Sequence, residues 1–193
     1  MVLSATPRLR KQVAVRARVF VEAWPEDVFC VFIAEVGLGL RSTGWSWIQP
    51  ERGRYLRFNR DVSGRFVEAY DAVADTGEEL GRVTAWEPGA CVAFGWRQMD
   101  WPQGVSTEVD VRFEPVFGGT LLSVEHSGFG TLGPDLERSP SEYRAAWNEA
   151  IGWVARRVRL ESSAHRGLRG SGSPSERNGG PLRSGPPSLS HRM

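Results

Sequence analysis

Apolar and polar residues alternate along several short stretches of the chain, a pattern typical of β-strands with one buried face. The stretch "VAVRARVFVE" (13–22) has valine or alanine at every second position, and Phe20 is one large apolar residue on its polar face. The stretches "VSTEVDVRFE" and "GTLLSVEHS" alternate in the same way. We therefore predict strands with one face against a core and the other in water.

A helix is predicted directly after the first strand. Pro25 suits the first turn of a helix, and the acidic residues after it suit the positive end of the helix dipole. Apolar residues then recur at helical spacing, at Val28, Phe29, Phe32 and Ile33. We expect this helix to end at the glycines of "GLGL" (37–40).

A second and longer helix is predicted near the end of the chain, at "SPSEYRAAWNEAIGWVARRVRL" (139–160). Ser139 and Glu142 form a capping box at its start. An apolar stripe follows, made up of Tyr143, Trp147, Ala150, Ile151, Val154 and Val158.

The order of elements predicts the fold class. Six strand-like runs with short turns lie between the two helical segments, which favours an antiparallel meander. With the first strand this gives an α+β fold with a curved sheet of about seven strands. We expect the sheet to curl around the C-terminal helix, because only that helix is predicted to be long enough to cover the apolar face.

The composition changes at Glu161. Ser, Gly and Pro make up 18 of the 33 residues from 161 to 193, so this segment is predicted to be a disordered tail. The domain is predicted to span residues 12–160. A phosphate-binding role for the basic tail is an alternative to a solvated tail without a function.

Charge and hydropathy exclude several classes of partner. The net charge is +1 and acidic residues are interleaved with basic ones, so nucleic acid is not expected. The sequence has no run of about 18 apolar residues, so no membrane span is predicted. The N-terminus has no apolar core typical of a secretory signal. A cytoplasmic location is therefore the expectation.

Cysteines and histidines do not predict a metal site or a cofactor. Cys30 and Cys91 have no nearby cysteine partner, so we expect two buried free thiols. His165 and His191 fall in the predicted tail, which leaves His126 alone in the body of the chain.

Glu125, His126 and Ser127 are the residue types of a hydrolytic triad, but they are consecutive. Neighbours on a strand point to opposite faces, so His126 cannot contact the other two side chains. Two hypotheses remain for His126: a buried histidine that hydrogen-bonds locally, or a polar group at the mouth of a cavity.

The motifs "GRVTAWEPGACVAFGW", "TEVDVRFEPVFGGTLLSVEHSGF" and "YRAAWNEAIGWV" resemble the SRPBCC (START-like, helix-grip) superfamily. Within it, the chain is most similar to bacterial proteins named after the activator of the heat-shock-protein-90 ATPase. The resemblance covers about Val13 to Val158. It implies a cavity between the sheet and the C-terminal helix that takes hydrophobic small molecules such as lipids or polyketides.

Strand alternation and the apolar stripe of the C-terminal helix turn eight residues towards that interior. They are the candidate ligand-binding residues: Trp96, Thr107, Val109, Val124, His126, Trp147, Ile151 and Val154. The same residues would suit an ordinary core. Trp45, Trp47 and Trp101 fall in predicted loops. They would line an entrance or pack under the loops.

Three functions are compatible with these observations. The first is a binding module for a hydrophobic ligand, with no cofactor. The second is a cyclase or aromatase, with His126, Glu68 or Tyr70 as acid or base. The third is a chaperone-partner role, which would need an exposed patch that the alternation does not reveal. The sequence also lacks the separate N-terminal domain of the eukaryotic co-chaperone, so we do not expect ATPase activation.

Overall fold

The structure is a computed structural model, and it describes residues 14–42, 55–71, 76–98, 101–132 and 140–170. Trp45, Trp47, Ser139 and the segment 171–193 lie outside the described residues, so the predictions made for them stay predictions. The elements are β1 (Val15–Val21), α1 (Pro25–Ser42), β2 (Tyr55–Phe58), β3 (Arg65–Asp71), β4 (Thr76–Glu87), β5 (Cys91–Trp96), β6 (Thr107–Val116), β7 (Gly119–Ser127), a short 3-10 helix (Phe129–Thr131) and α2 (Pro140–Gly170).

The seven strands form one antiparallel sheet in the order β1-β7-β6-β5-β4-β3-β2. Strands β2 to β7 are a meander, as predicted, and β1 adds to the sheet beside β7. On β7 every second residue is buried, from Thr120 to His126, while the residues between them are partly exposed. The helix-grip fold class predicted from the sequence is confirmed.

Both helices cover the sheet, whereas the sequence predicted that only the C-terminal helix would do so. Helix α2 packs along β1 and against α1. The apolar stripe of α1 also reaches the sheet, since the rings of Phe29 and Phe32 meet Phe113 of β6 edge to face at 5.2 and 5.6 Å.

Helix α1 continues through "GLGL" to Ser42, so the prediction that the glycines end it is wrong. The reason lies in the packing of the two helices. A Cβ atom on Gly39 would lie 2.8 Å from the Cα of Ala150 on α2. The glycine therefore permits close contact between the helices, and a single interior glycine costs a helix only about 1 kcal/mol.

Helix α2 continues past Leu160 to Gly170, through residues that the composition places in the tail. Arg157 and Glu161, one turn apart, form an ion pair at 3.4 Å across this junction, a pairing that favours helix. Neither described helix is long and apolar enough to cross a membrane.

The two cysteines are free but not buried, which corrects the prediction of buried thiols. Cys30 is exposed on the outward face of α1, and Cys91 is partly buried at the start of β5. Burial, followed by the charges of Glu87 and Asp110, raises the pKa of the Cys91 thiol.

Candidate functional site

The structure places all eight candidate ligand-binding residues on the inner surface between the sheet and α2. Each of them is at most 6% exposed. They come from four elements: β5 supplies Trp96, β6 supplies Thr107 and Val109, β7 supplies Val124 and His126, and α2 supplies Trp147, Ile151 and Val154.

His126 lies at the centre of a buried hydrogen-bond relay. The indole N–H of Trp147 donates to Nδ1 of His126 at 3.1 Å. On the other side of the ring, Nε2 lies 2.7 Å from the Thr107 hydroxyl oxygen. That hydroxyl donates in turn to the Trp96 carbonyl at 3.2 Å.

The chemistry of the donors fixes the tautomer of His126. An indole N–H can only donate, so Nδ1 must be the acceptor. The ring proton of the neutral imidazole is then on Nε2, from which it donates to Thr107, whose own proton is committed to Trp96. Both ring nitrogens therefore have a partner without any ligand.

Burial also keeps His126 uncharged, because desolvation lowers its pKa from the ordinary value of 6.5 to about 3. A general acid or base needs a pKa near the working pH. The described hydrogen bonds of His126 are to neighbouring side chains of the interior, as in the first of the two hypotheses for it.

Four aromatic side chains surround the His126 ring. Their ring centroids lie 4.7 to 6.1 Å from it, and they belong to Trp96, Phe129, Tyr143 and Trp147. The alternation of residues could not place Phe129 in this cluster, because Phe129 follows the end of β7. The signal for it was the motif "HSGF" (126–129).

Gly128 explains why that motif contains a glycine. Its φ is 90°, in the left-handed region that favours glycine. A Cβ atom there would lie 3.3 Å from the Cα of Thr107. The turn at Gly128 brings Phe129 back onto the ring of His126.

An aromatic wall extends from this cluster across the concave face of the sheet. Phe58 stacks on Phe66 at 4.5 Å, and Phe66 contacts Phe94 at 4.7 Å and Trp96 at 5.7 Å. Trp96 meets Trp147 edge to face at 5.9 Å. The wall therefore joins three strands of the sheet, β2, β3 and β5, to α2.

Glu68 shares the inner face of β3 with Phe66, because their partners on β2, Leu56 and Phe58, both belong to the core. Tyr70 is partly buried and lies at an irregularity in the pairing of β3 with β4. Glu68 is completely buried. It lies four strands from β7, which is about 19 Å along the sheet at the usual strand spacing. The structure does not bring Glu68 and His126 together as an acid–base pair.

Trp101 is buried at 3% exposure and belongs to the hydrophobic core, so it packs under its loop and does not line an entrance. Among the described residues, no three His, Cys, Asp or Glu side chains are placed to hold a metal ion.

A groove of about 440 Å³ lies on the outer face of strands β1, β6 and β7. Ion pairs line it, with Arg16 contacting Glu125 at 2.7 Å and Arg112 contacting Asp110 at 2.9 Å. All four of these side chains are substantially exposed, so this groove is the water-facing side of the sheet and not the interior that the sequence predicted as the site.

Comparison with solved structures supports the fold. The chain is similar to protein CV1439 from Chromobacterium violaceum, with 18% identity, a TM-score of 0.50, and coverage of 75% of this chain and 96% of that chain. It is also similar to protein MLL2253 from Mesorhizobium loti, with 18% identity, a TM-score of 0.51, and coverage of 75% and 95%. None of the curated proteins compared with the chain matches it in sequence.

The family model described as "Activator of Hsp90 ATPase homolog 1-like protein" matches residues 56–152. The matched region begins in β2 and ends within α2, and it includes the motif "HSGF" together with Trp96, Thr107 and Trp147. It amounts to just over half of the 193 residues. The chain therefore belongs to the Activator of Hsp90 ATPase homolog 1-like family.

Proposed function

We propose that this protein is a binding module for a hydrophobic small molecule, lipid-like or polyketide-like, held between the sheet and α2. The aromatic wall from Phe58 to Trp147 is the observation that supports this most strongly. Apolar and aromatic walls with a few polar groups are typical of small-molecule sites. We expect the ligand to lie against the eight inward-facing residues, with Trp96 and Trp147 as its largest contacts.

The state of His126 favours binding over proton transfer at that residue. Its pKa is lowered to about 3 by burial, and Trp147 and Thr107 already occupy its two nitrogens. The relay would hold the side chains of the wall in place, so that the ligand meets a preformed surface. A preformed site binds more tightly because less side-chain ordering is required on binding.

Native mass spectrometry of the freshly purified full chain tests the proposal. We expect a discrete small-molecule adduct that disappears on denaturation. Titration with the fluorophore anilinonaphthalene sulfonate should show saturable binding that the released molecule competes away.

Two matched substitutions locate the site. Val109 is completely buried beside His126, and Val109→Phe should weaken binding at least tenfold by filling the interior, at a cost of about 1–3 kcal/mol in stability. Val62→Phe adds the same ring at an exposed position and should leave binding unchanged. If the two variants bind equally well, the interior is not the site.

The enzymatic alternative rests on one observation, the buried carboxyl group of Glu68 on the same inner face as the wall. Incubation of the released ligand with the protein, followed by product analysis, separates the two functions. Product formed by the native chain and not by the Glu68→Gln variant, with binding retained in both, would favour a cyclase or aromatase.

A further inference from the structure

An exposed apolar patch lies at the end of the molecule away from His126. It consists of Phe20 on β1, Trp24 in the β1–α1 loop, and Val116 and Phe117 at the turn between β6 and β7; we call these four residues the hairpin-tip patch. Trp24 is 76% exposed and Phe117 is completely exposed. A groove of about 400 Å³ separates Trp24 from Val116.

The local structure does not require aromatic residues at these positions. The Trp24 carbonyl accepts the first backbone hydrogen bonds of α1, from Asp27 and Val28, both at 3.1 Å. Trp24 therefore occupies the N-cap, where Ser, Thr, Asp and Asn are favoured. Phe117 precedes Gly118 in a two-residue turn, a position that polar residues occupy equally well.

Carboxylates flank the residues of the patch along the chain, and Glu22 also lines its groove. Four of them have no ion-pair partner among the described residues: Glu22, Glu26, Asp27 and Glu114. Glu26 and Asp27 have a local role, since they lie in the first turn of α1 and interact favourably with its dipole. Glu22 and Glu114 have no such role. The nearby basic residues are Arg18, Arg112 and Arg159, and Arg112 already pairs with Asp110 at 2.9 Å, so the surroundings are net negative.

We propose that the hairpin-tip patch docks a basic amphipathic segment of another protein. Its apolar side chains would contact Trp24 and Phe117, and its Lys or Arg residues would face Glu22 and Glu114. Exposed aromatic residues that become buried provide most of the affinity of such contacts, and complementary charge guides the approach of the partner. The same carboxylates repel an anionic membrane surface. The proposal uses none of the residues of the ligand site.

Fluorescence anisotropy tests the proposal on the full chain, with a labelled amphipathic helical peptide of about 18 Leu and Lys residues as the probe. We expect Trp24→Ser and Phe117→Ser to weaken peptide binding at least tenfold. The control is Leu38→Ser, which removes a large exposed side chain near the other end of α1 and should change affinity less than twofold. Far-UV circular dichroism checks that each variant is folded.

The charge part of the proposal has its own test. A peptide with Glu in place of Lys should not bind. The double substitution Glu22→Gln with Glu114→Gln should weaken binding at low salt and have less effect at high salt, because salt screens exposed charges. Equal affinity of the native chain and the patch variants for the Leu/Lys peptide would overturn the proposal.

Three further outcomes would replace this partner by another. A concentration-dependent dimer that Phe117→Ser abolishes would assign the patch to a second copy. Tighter peptide binding after replacement of Arg177, Arg183 and Arg192 by Ser would assign it to the chain's own C-terminal segment. Binding to phosphatidylcholine vesicles that is lost in Phe117→Ser would assign it to a lipid surface.

Discussion

Thr107→Val tests whether the relay at His126 is a source of stability. Valine has nearly the shape of threonine, so the change removes the hydroxyl group and leaves the packing. Two hydrogen bonds are lost, at 2.7 Å to His126 and at 3.2 Å to Trp96. His126 cannot compensate by moving its proton, because Trp147 already donates to Nδ1.

The structure sets the size of the effect. A buried polar group left without a partner costs about 1–3 kcal/mol, and two groups are affected here. The added methyl group of valine stabilises the folded state by about 0.8 kcal/mol. We therefore expect a loss of about 1–5 kcal/mol in the free energy of unfolding, measured from urea denaturation midpoints at a constant m value.

Thr120→Val is the matched control. Thr120 is completely buried on the same face of the sheet, but its hydroxyl makes one described hydrogen bond, to the Ala23 carbonyl at 2.7 Å. By the same reasoning only one group is left without a partner, so we expect a loss of about 0.2–2 kcal/mol, less than half of that for Thr107→Val. If the two variants lose the same stability, or if nitrogen-15 spectra of the His126 ring show the proton on Nδ1, the relay reasoning is refuted.

Three other predictions follow from the same cluster. His126 has a pKa of about 3 in the folded chain and about 6.5 in the unfolded chain, so the unfolded state binds the extra proton. The free energy of unfolding should therefore fall by about 1.4 kcal/mol per pH unit as the pH drops below 6.5. Urea midpoints at pH 7 and pH 5 should show this fall, and the dependence of stability on pH should be weaker in His126→Gln. Trp147→Ala should lower the free energy of unfolding, measured by urea denaturation, by about 3–5 kcal/mol. Glu108→Ala on the exposed face should change it by no more than about 0.5 kcal/mol. Equal effects of the two substitutions would refute the assignment of the buried and exposed faces. Gly128→Ala should lower the melting temperature more than Gly104→Ala. Both glycines have positive φ, so alanine at either position adds a backbone strain of about 1–2 kcal/mol. Only at Gly128 does the new Cβ atom also have a neighbour within 4 Å.

The alternation of residues was sufficient to predict which face of each strand is buried. In β7 it placed Leu122, Val124 and His126 inside, as the structure does. This works because successive side chains of a strand point to opposite faces, so one buried face imposes a period of two on the sequence. The same rule excluded a triad at His126 without any knowledge of the tertiary structure.

Helix ends and exposed residues were predicted less well. Gly39 is of a residue type that commonly ends a helix, but it lies inside α1 because α2 packs directly against it. Trp24 and Phe117 fall outside the alternating stretches, so no periodicity indicated that both are exposed at the same end of the sheet. Contacts between elements decide both features, and a local pattern contains no information about such contacts.

The candidate site divides in the same way. The sequence placed Thr107, His126 and Trp147 on one interior surface, because each lies on the apolar face of its own element. Only the tertiary structure joined them into a relay, since that required β6 to pair with β7 in one register and α2 to bring Trp147 within hydrogen-bond distance of His126. Hydrogen bonds depend on distances of about 3 Å between residues far apart in the chain, and those distances are set by strand order and helix packing rather than by the periodicity of any one segment.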